Sequence, residues 1–540
     1  MATVMATATV RTSGKVWWGS ERDCAIMVTV KFSCATGLAT LLACTAQHAL
    51  GQEPGEPGLG GHRAWTIAPT ISVQETFTDN VGLGQGRKES DQITEVSPGI
   101  RIDGNTKRLK LHFDYALHEL YYAQGSRNTH TQNFLNTFGK LEAIENLLFV
   151  DMSGAIVRQN ISAFGNQSAG NYSVNANNTE TATFRLSPYL KGRLANYADY
   201  ELRYSRSMVR AKSSVASDSD IDEWIAKIGG DTRFAALGWS VDASRQQYDY
   251  SRGRSSESDR LRGFLIYRIN PQIKLSVSAG RESNDFLSVN KRNWNTYGMG
   301  ADWNPNDRTQ VSAFREKRFF GYGHNFSVNH RLQHSSIRYT DVKDVSASPN
   351  QVGSGGFGTY YDLLFTQLAS AIPDPVARAA QVNAMLVAAG ISPNVVVNGG
   401  FLNSQPTSRR NQELAWLLRG ARNTVTFAAA RSKDDRLGSG LGTGDDFSVA
   451  SSITQKGFNV GWSHQLSPQT ALSVTGARSH SEGQAGGQDQ KTKQKVLSAS
   501  LSTKLGPRTS AALTARRTEF DRTTQPYNEN ALIGSLSIQF

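Results

Sequence analysis

Ala531-Leu-Ile-Gly-Ser-Leu-Ser-Ile-Gln-Phe540 is a stretch that alternates. Leu532, Gly534, Leu536, Ile538 and Phe540 fall on one side, and Ala531, Ile533, Ser535, Ser537 and Gln539 on the other. This is the period-2 pattern of a β-strand that is apolar on one face and small or polar on the opposite one. In a soluble sheet such a strand would be half-buried and its position in the chain would carry no meaning. In a bacterial outer-membrane barrel it would be the closing strand, and Phe540, with Ile538 and Leu536, would be the signal that the barrel-assembly machinery reads. The choice depends on how many similar strands precede it.

Many do. Between Arg108 and Tyr122, Leu109, Leu111, Phe113, Tyr115 and Leu117 alternate with Lys110, His112, Asp114, Ala116 and His118. Between Gln272 and Gly280, Ile273, Leu275, Val277 and Ala279 alternate with Lys274, Ser276, Ser278 and Gly280. Leu497, Ala499 and Leu501 alternate in the same way with Ser498, Ser500 and Ser502. Charges on the second face are costly in lipid and comfortable in a watery lumen. Short Gly, Asn, Asp and Pro connections recur, at Asp103-Gly104-Asn105, Asn270-Pro271, Asn304-Pro305-Asn306-Asp307, Ser467-Pro468 and Gly506-Pro507, and these residues supply the backbone angles that hairpins need. Longer polar connections separate them, at Thr78–Ser90, Ala163–Asn178, Ala211–Asp220, Arg252–Asp259, Asp434–Asp445 and Glu482–Lys491. Outer-membrane barrels sort their loops in this manner, short turns at the periplasmic end and long loops outside.

The expected fold is therefore all-β: one large antiparallel transmembrane β-barrel of roughly 22 strands, within roughly 18 to 24, over residues 64–540. Tyr121, Tyr122, Trp239, Tyr248, Trp294, Trp303 and Trp462 stand near strand ends, as an interfacial aromatic girdle would.

Composition agrees. The 540 residues are 38% hydrophobic with a mean hydropathy of -0.42, and no run after residue 51 is long and apolar enough for a spanning helix. A barrel escapes that criterion because only alternate residues meet lipid. The formal charge is +12. The cations are scattered singly along strands rather than gathered on a helix, which argues against nucleic acid and for a lumen and loops that meet anionic lipid, lipopolysaccharide or polymer.

Residues 27–51 read as a secretory signal: Lys31, an apolar stretch from Phe32 to Ala43, and Ala49-Leu50-Gly51 before a cut at Gln52. Residues 1–26 add nothing to it, so translation starting at Met27 is an alternative. Leu41-Leu42-Ala43-Cys44 offers a competing lipoprotein site. Gly- and Pro-rich residues 52–63 form a flexible leader. All three cysteines, Cys24, Cys34 and Cys44, precede the cut, which leaves the processed chain without disulfides or cysteine metal sites.

One stretch departs from alternation. Tyr360 to Ala371 and Val376 to Ala389 have helical spacing, with Asp374 as N-cap, Pro375 at the first helical position and Gly390 past the end. This pair sits in an insertion over residues 345–408. Helices so apolar must pack together or enter the lumen, and a barrel of this size needs filling, so Asp374, Pro375 and Arg378 mark a candidate plug helix. No phosphate loop, zinc-type His pair or nucleophile elbow is present. No catalytic, cofactor or metal role is expected, and the chain reads as a non-enzyme.

Several segments resemble a known family. Trp65–Thr78 followed by Asp79-Asn80-Val81 resembles the first strand and loop of porin-like barrels of exopolysaccharide loci. Glu95-Val-Ser-Pro-Gly-Ile100, Trp303-Asn-Pro-Asn306 with Arg318-Phe-Phe-Gly321, and Ile372-Pro-Asp-Pro-Val-Ala-Arg378 resemble the outer-membrane barrel family associated with the PEP-CTERM/exosortase protein-sorting system. The resemblance implies a Gram-negative outer-membrane location, exopolysaccharide-export components as partners, and passage of polysaccharide or exported protein. A general diffusion porin and a surface structural or adhesive barrel with a closed lumen are the alternatives.

Overall fold

The computed structural model describes residues 64–540 apart from 87, 174, 196, 235, 347–359, 369–371, 373, 390–399, 439–443, 486–487 and 523–524; the expected signal and leader lie outside the described residues. From β1 (Trp65–Thr78) to β22 (Tyr527–Gln539), twenty-two strands follow in chain order, each antiparallel to the next. β22 then returns to β1, with Ile538 opposite Ile71, Leu536 opposite Val73 and Leu532 opposite Phe77. Closure leaves no row of unpaired amides at a sheet edge, the condition for crossing lipid with strands.

The two rims differ. At one, β2 (Asp91–Asn105) passes to β3 (Leu109–Tyr122) through 106–108, β10 (Ser256–Asn270) to β11 (Ile273–Asn284) through 271–272, and β12 (Arg292–Asn306) to β13 (Thr309–Arg318) through 307–308. At the other rim the strand ends are separated by the longer stretches 79–90, 161–177 and 347–406. The sorting is incomplete there. β13 turns into β14 (Gly321–Arg331) through 319–320 alone, and the polar stretch expected as a loop at Glu482–Lys491 is mostly strand, since β19 (Thr470–Ala485) and β20 (Gln488–Lys504) pair from Thr470 opposite Thr503 to Ala485 opposite Gln488. Beyond the lipid both faces of a strand are wet, so the apolar alternation fades and strand composition becomes loop-like.

Alternation fixes which side faces where. On β16 (Thr407–Arg419), Glu413, Ala415 and Leu417 are buried while Trp416 and Leu418 are exposed. The same outward row holds Leu265, Tyr267 and Ile269 on β10, Leu275 and Val277 on β11, and Tyr297, Met299 and Trp303 on β12. A continuous belt of exposed large apolar side chains far exceeds what a soluble surface carries. The expected aromatic girdle divides. Trp303, Trp462 and Tyr121 are exposed, but Tyr122 and Tyr248 are buried on the inner face, and Trp294 packs on Phe319 with ring centroids 5.5 Å apart. The sequence position near a strand end does not tell which face a residue takes; only the register does.

The closing seam is held by the Asp79-Asn80 turn. Asp79 accepts the Asn530 amide N–H at 2.7 Å and pairs with Lys88 at 2.9 Å. Asn80, almost fully buried, accepts from the Gly84 N–H and donates to the Asn528 carbonyl, both at 3.0 Å.

Candidate functional site: the lumen and its two closures

Helices α1 (Tyr360–Gln367) and α2 (Pro375–Ala389) lie between β15 (Ser335–Ser346) and β16. The α2 start is as the sequence reading had it. The Asp374 carbonyl accepts the Arg378 amide N–H at 3.0 Å, and Pro375, whose fixed φ and missing N–H suit a first turn, begins the helix. Tyr361, Leu364 and Leu368 pack on Ala379, Val382 and Leu386, and this pair buries its remaining apolar face against Ala415 and Leu417 of β16 and Ala428 of β17 (Asn423–Arg436). Those wall residues stand on the buried, inward row, so the helices are inside the barrel. The small side chains of Ala415 and Ala428 give the helices room to approach.

The anchoring points place the pair near the short-turn rim. Asp374 meets Lys110, the second residue of β3, at 3.3 Å. Arg338, near the start of β15, donates to the Thr366 carbonyl at 3.5 Å. Phe365 meets Phe138 of β4 (His130–Ile144) with centroids 5.8 Å apart. Arg378 donates to the Ile372 carbonyl at 2.9 Å and stands 4.5 Å from the centre of the Phe365 ring. Beside the helices, Leu364, Met385 and Leu386 face Thr426, Thr475 and Ser502 across a cavity of about 250 Å³.

The long-loop rim is closed by different means. Asp445 accepts from the Ser404 amide at 2.9 Å and hydroxyl at 2.7 Å, and from the Phe447 N–H at 3.1 Å, at the start of the short helix α3 (Asp446–Val449). Asp446 accepts from the Ser162 hydroxyl at 2.6 Å and the Ala163 N–H at 2.7 Å. Two adjacent carboxylates thus tie together three connections over an apolar knot of Phe164, Phe401, Phe447 and Ile453. Burial pushes the Asp446 carboxyl up to about 6, against the two donors that favour its charge.

From this knot the 161–177 connection, which leaves β5 (Leu148–Asn160) and enters β6 (Asn178–Leu194), reaches inner-face residues of the last strands. The Gln167 carbonyl accepts from Gln494 at 3.2 Å and from the Tyr527 hydroxyl. Tyr172 is almost fully buried, its hydroxyl donating to Glu529 and accepting from Arg516, its carbonyl accepting from Tyr122 at 2.5 Å. A further apolar group gathers Tyr248, Tyr250, Phe286 and Leu437, with Phe319 and Phe320 of the β13–β14 turn against it. Gly321 permits that turn, with φ +101°.

Between the closures the inner wall has two characters. Along β18 (Ala450–Gln465) to β21 (Thr509–Arg522) hydroxyls bond to hydroxyls: Ser473 to Ser463 at 3.2 Å, Thr475 to Ser498 at 2.5 Å and Thr514 to Ser500 at 2.9 Å. Elsewhere carboxylates and guanidiniums pair. Arg262 meets Asp242 at 2.9 Å and Glu316 at 3.2 Å, and Arg318 meets Glu282 at 2.6 Å. Ser97, His118 and Glu95 have the composition of a nucleophilic triad. However, Ser97 Oγ at 2.8 Å and Glu95 at 2.6 Å both address the same ring nitrogen, Nδ1. A relay needs the hydroxyl and carboxylate on opposite nitrogens, so this cluster does not activate a serine. Among the described residues no group of three or more His, Cys, Asp or Glu is placed to hold a metal ion.

The terminal residues lie at the seam. Leu536 and Ile538 pair on both sides, with Val73 and Ala511 and with Ile71 and Thr509; the Phe540 amide donates to the Pro69 carbonyl at 2.9 Å and its ring is exposed.

The fold is a closed, 22-stranded antiparallel barrel of outer-membrane type. No family model and no curated protein matches the chain. Among solved structures it is similar to the FrpB iron transporter of Neisseria meningitidis (F5-1 variant), at 10% identity over 89% of this chain and 83% of that one, with a TM-score of 0.46. It is also similar to the siderophore receptor PirA of Pseudomonas aeruginosa, at 9% identity over 89% and 81%, TM-score 0.40. BauA, the ferric preacinetobactin receptor of Acinetobacter baumannii, is 12% identical over 88% and 81%, TM-score 0.43. By their names the first is a transporter and the other two are receptors.

Proposed function

We propose that the chain is an integral outer-membrane barrel forming a gated passage, closed at rest, for a polar polymer. The observation that carries this reading is the α1–α2 pair inside the lumen: an apolar pair held mainly by packing, with the Lys110–Asp374 ion pair and the Arg338–Thr366 hydrogen bond at its edge among the described residues, can leave as a unit. The hydroxyl-lined wall it covers suits a hydroxylated chain sliding past without tight charge pairing. The family resemblance points to exopolysaccharide or a protein exported beside an exosortase system, with that system's export components as partners. Lipid, lipopolysaccharide and the barrel-assembly machinery complete the surroundings.

Deleting the gene in its host and measuring released exopolysaccharide tests the cargo, and complementing with a chain lacking residues 360–390 tests the gate. Loss of release on deletion and leakage of small oligosaccharides on complementation support the reading. Normal release would remove the polymer, and swelling of liposomes by any small sugar with the intact chain would favour a diffusion porin. Covering at both rims favours one other reading, a closed structural or adhesive barrel. In that case deletion leaves release normal, and the intact chain swells no liposomes.

A further inference from the structure

Above the apolar belt, on the long-loop side, the outward rows of the strands become charged, and two sectors of this ring are built differently. Over β7 (Ala198–Ala211) to β10 each cation finds acids: Arg210 meets Asp220 at 2.7 Å, Arg206 meets Asp220 and Asp222 at 3.8 Å, and Arg245 meets Glu257 and Asp259. Lys291 adds Glu257 at 2.9 Å and Asp259 at 2.7 Å. That sector neutralises itself.

Over β17 to β20 the register sets cation against cation. Arg431 stands opposite Lys456, Lys456 opposite His480, and His480 opposite Lys493. One step nearer the belt, Arg478 stands opposite Lys495. Like charges directly across a strand pair repel, and these are outward residues, because their neighbours Ser432, Gln455, Ser481 and Thr492 are the buried, inward ones. Glu482 serves Lys456 at 2.9 Å and His480 at 3.3 Å, and Glu519 serves Lys495 at 3.4 Å. Among the described residues Arg431, Arg478 and Lys493 have no carboxylate partner. Immediately towards the belt stand the exposed side chains of Phe458, Val460 and Leu497. At the short-turn rim of the same strands the outward row carries no lysine or arginine among the described residues: Val425, Trp462, Leu472 and Leu501 occupy it, with His464 hydrogen-bonded to Asn423.

We propose that this sector binds a multiply phosphorylated glycolipid of the outer leaflet, its acyl chains along Phe458, Val460 and Leu497 and its phosphates between Arg431, Lys456, Arg478 and Lys495. Three features select that occupant. Facing cations at strand spacing call for an anion of more than one charge. Their place directly above the acyl-facing belt calls for a headgroup and not a free solute. Their restriction to the long-loop side calls for a lipid confined to one leaflet. The inference rests on the long loops facing outward, and not on any cargo passing through the lumen, so it stands or falls separately from the passage.

The test is native mass spectrometry of the full chain, purified in mild detergent and titrated with bisphosphorylated lipid A, dephosphorylated lipid A and phosphatidylglycerol. Bound bisphosphorylated lipid should exceed the dephosphorylated form by at least about tenfold, as several interfacial cations together would provide. R431Q/K456Q/R478Q/K495Q should abolish the preference, while R206Q/R210Q/R245Q in the balanced sector should leave it unchanged. Equal binding of the phosphorylated and dephosphorylated forms, or retention by the fourfold variant, overturns the site. Phosphatidylglycerol binding as well as lipid A overturns the glycolipid assignment. Because the lipid comparison uses the unaltered chain, it decides the matter even if the variant fails to assemble.

Discussion

The two ends of the lumen are closed by opposite chemistry. At the short-turn rim an apolar helix pair rests on alanine and leucine of the wall, with the Lys110–Asp374 ion pair at its edge. At the long-loop rim three connections are tied by part-buried carboxylates and a tyrosine network. Apolar burial is non-directional and insensitive to pH, whereas a buried carboxylate makes closure depend on its proton. On the proposed reading, the inner closure is a stopper that leaves as a body, and the outer one a lid that loosens with conditions.

The largest effect should come from removing the stopper. A chain without residues 360–390, its flanks joined by a Gly/Ser linker, should show single-channel conductance about tenfold or more above the intact chain in planar bilayers, since a lumen of this strand number is wide once unfilled. Unchanged conductance would mean that the loop-rim lid alone limits flow, and the contrast between the ends would collapse.

The lid should respond to pH. The Asp446 carboxyl is raised from 3.8 to about 6 by burial in the docked lid, so docking binds a proton more tightly than opening does. The stabilisation from this group is full below about pH 4 and is lost as pH rises through about 6, shifting the lid towards open by roughly tenfold or more. Flicker of the stopper-less channel should increase over that window, and Asp446→Asn should flatten the dependence. A profile rising in the opposite direction would overturn the assignment.

A smaller loss is expected from Tyr172→Phe, which withdraws a donor from Glu529 and an acceptor from Arg516. It should lower lid stability by about 1–3 kcal/mol, read as earlier amide exchange in residues 161–177, with the barrel unaffected. Lys110→Met should do least, about 0.5 kcal/mol, because the Lys110 and Asp374 side chains are 45% and 28% exposed. A large conductance change from Lys110→Met would show that the stopper is held by charge and not by apolar contact.

Much of the architecture was legible because lipid imposes a period of two on every strand it touches. The count of strands, the closing role of Leu532 to Ile538 and the helical insertion all follow from that pattern and its interruption. The start of α2 at Asp374-Pro375 was readable too, since capping is local. What the pattern does not carry is anything above the lipid. Ser479 to Ala485 and Gln488 to Thr492 continue as strand although both faces are polar, and Tyr122, Tyr248 and Trp294 turn inward although their neighbours face out. The lid was invisible for a different reason: Ser162, Ser404 and Asp446 lie hundreds of residues apart in part, and nothing local in any of them marks a common meeting point. The cation sector was hidden in the same way, since Arg431 and Lys456 become neighbours only through register.

The most direct test of the stopper uses a chain whose three cysteines all precede Gln52; any that remain are changed to serine. Ala415→Cys then places one thiol on the inner wall beneath α1 and α2, where Ala415 is 1% exposed. With the barrel reconstituted in vesicles, this thiol should resist a membrane-impermeant maleimide in the intact chain and react readily once residues 360–390 are removed. Rapid labelling in the intact chain would contradict a lumen closed by the helix pair.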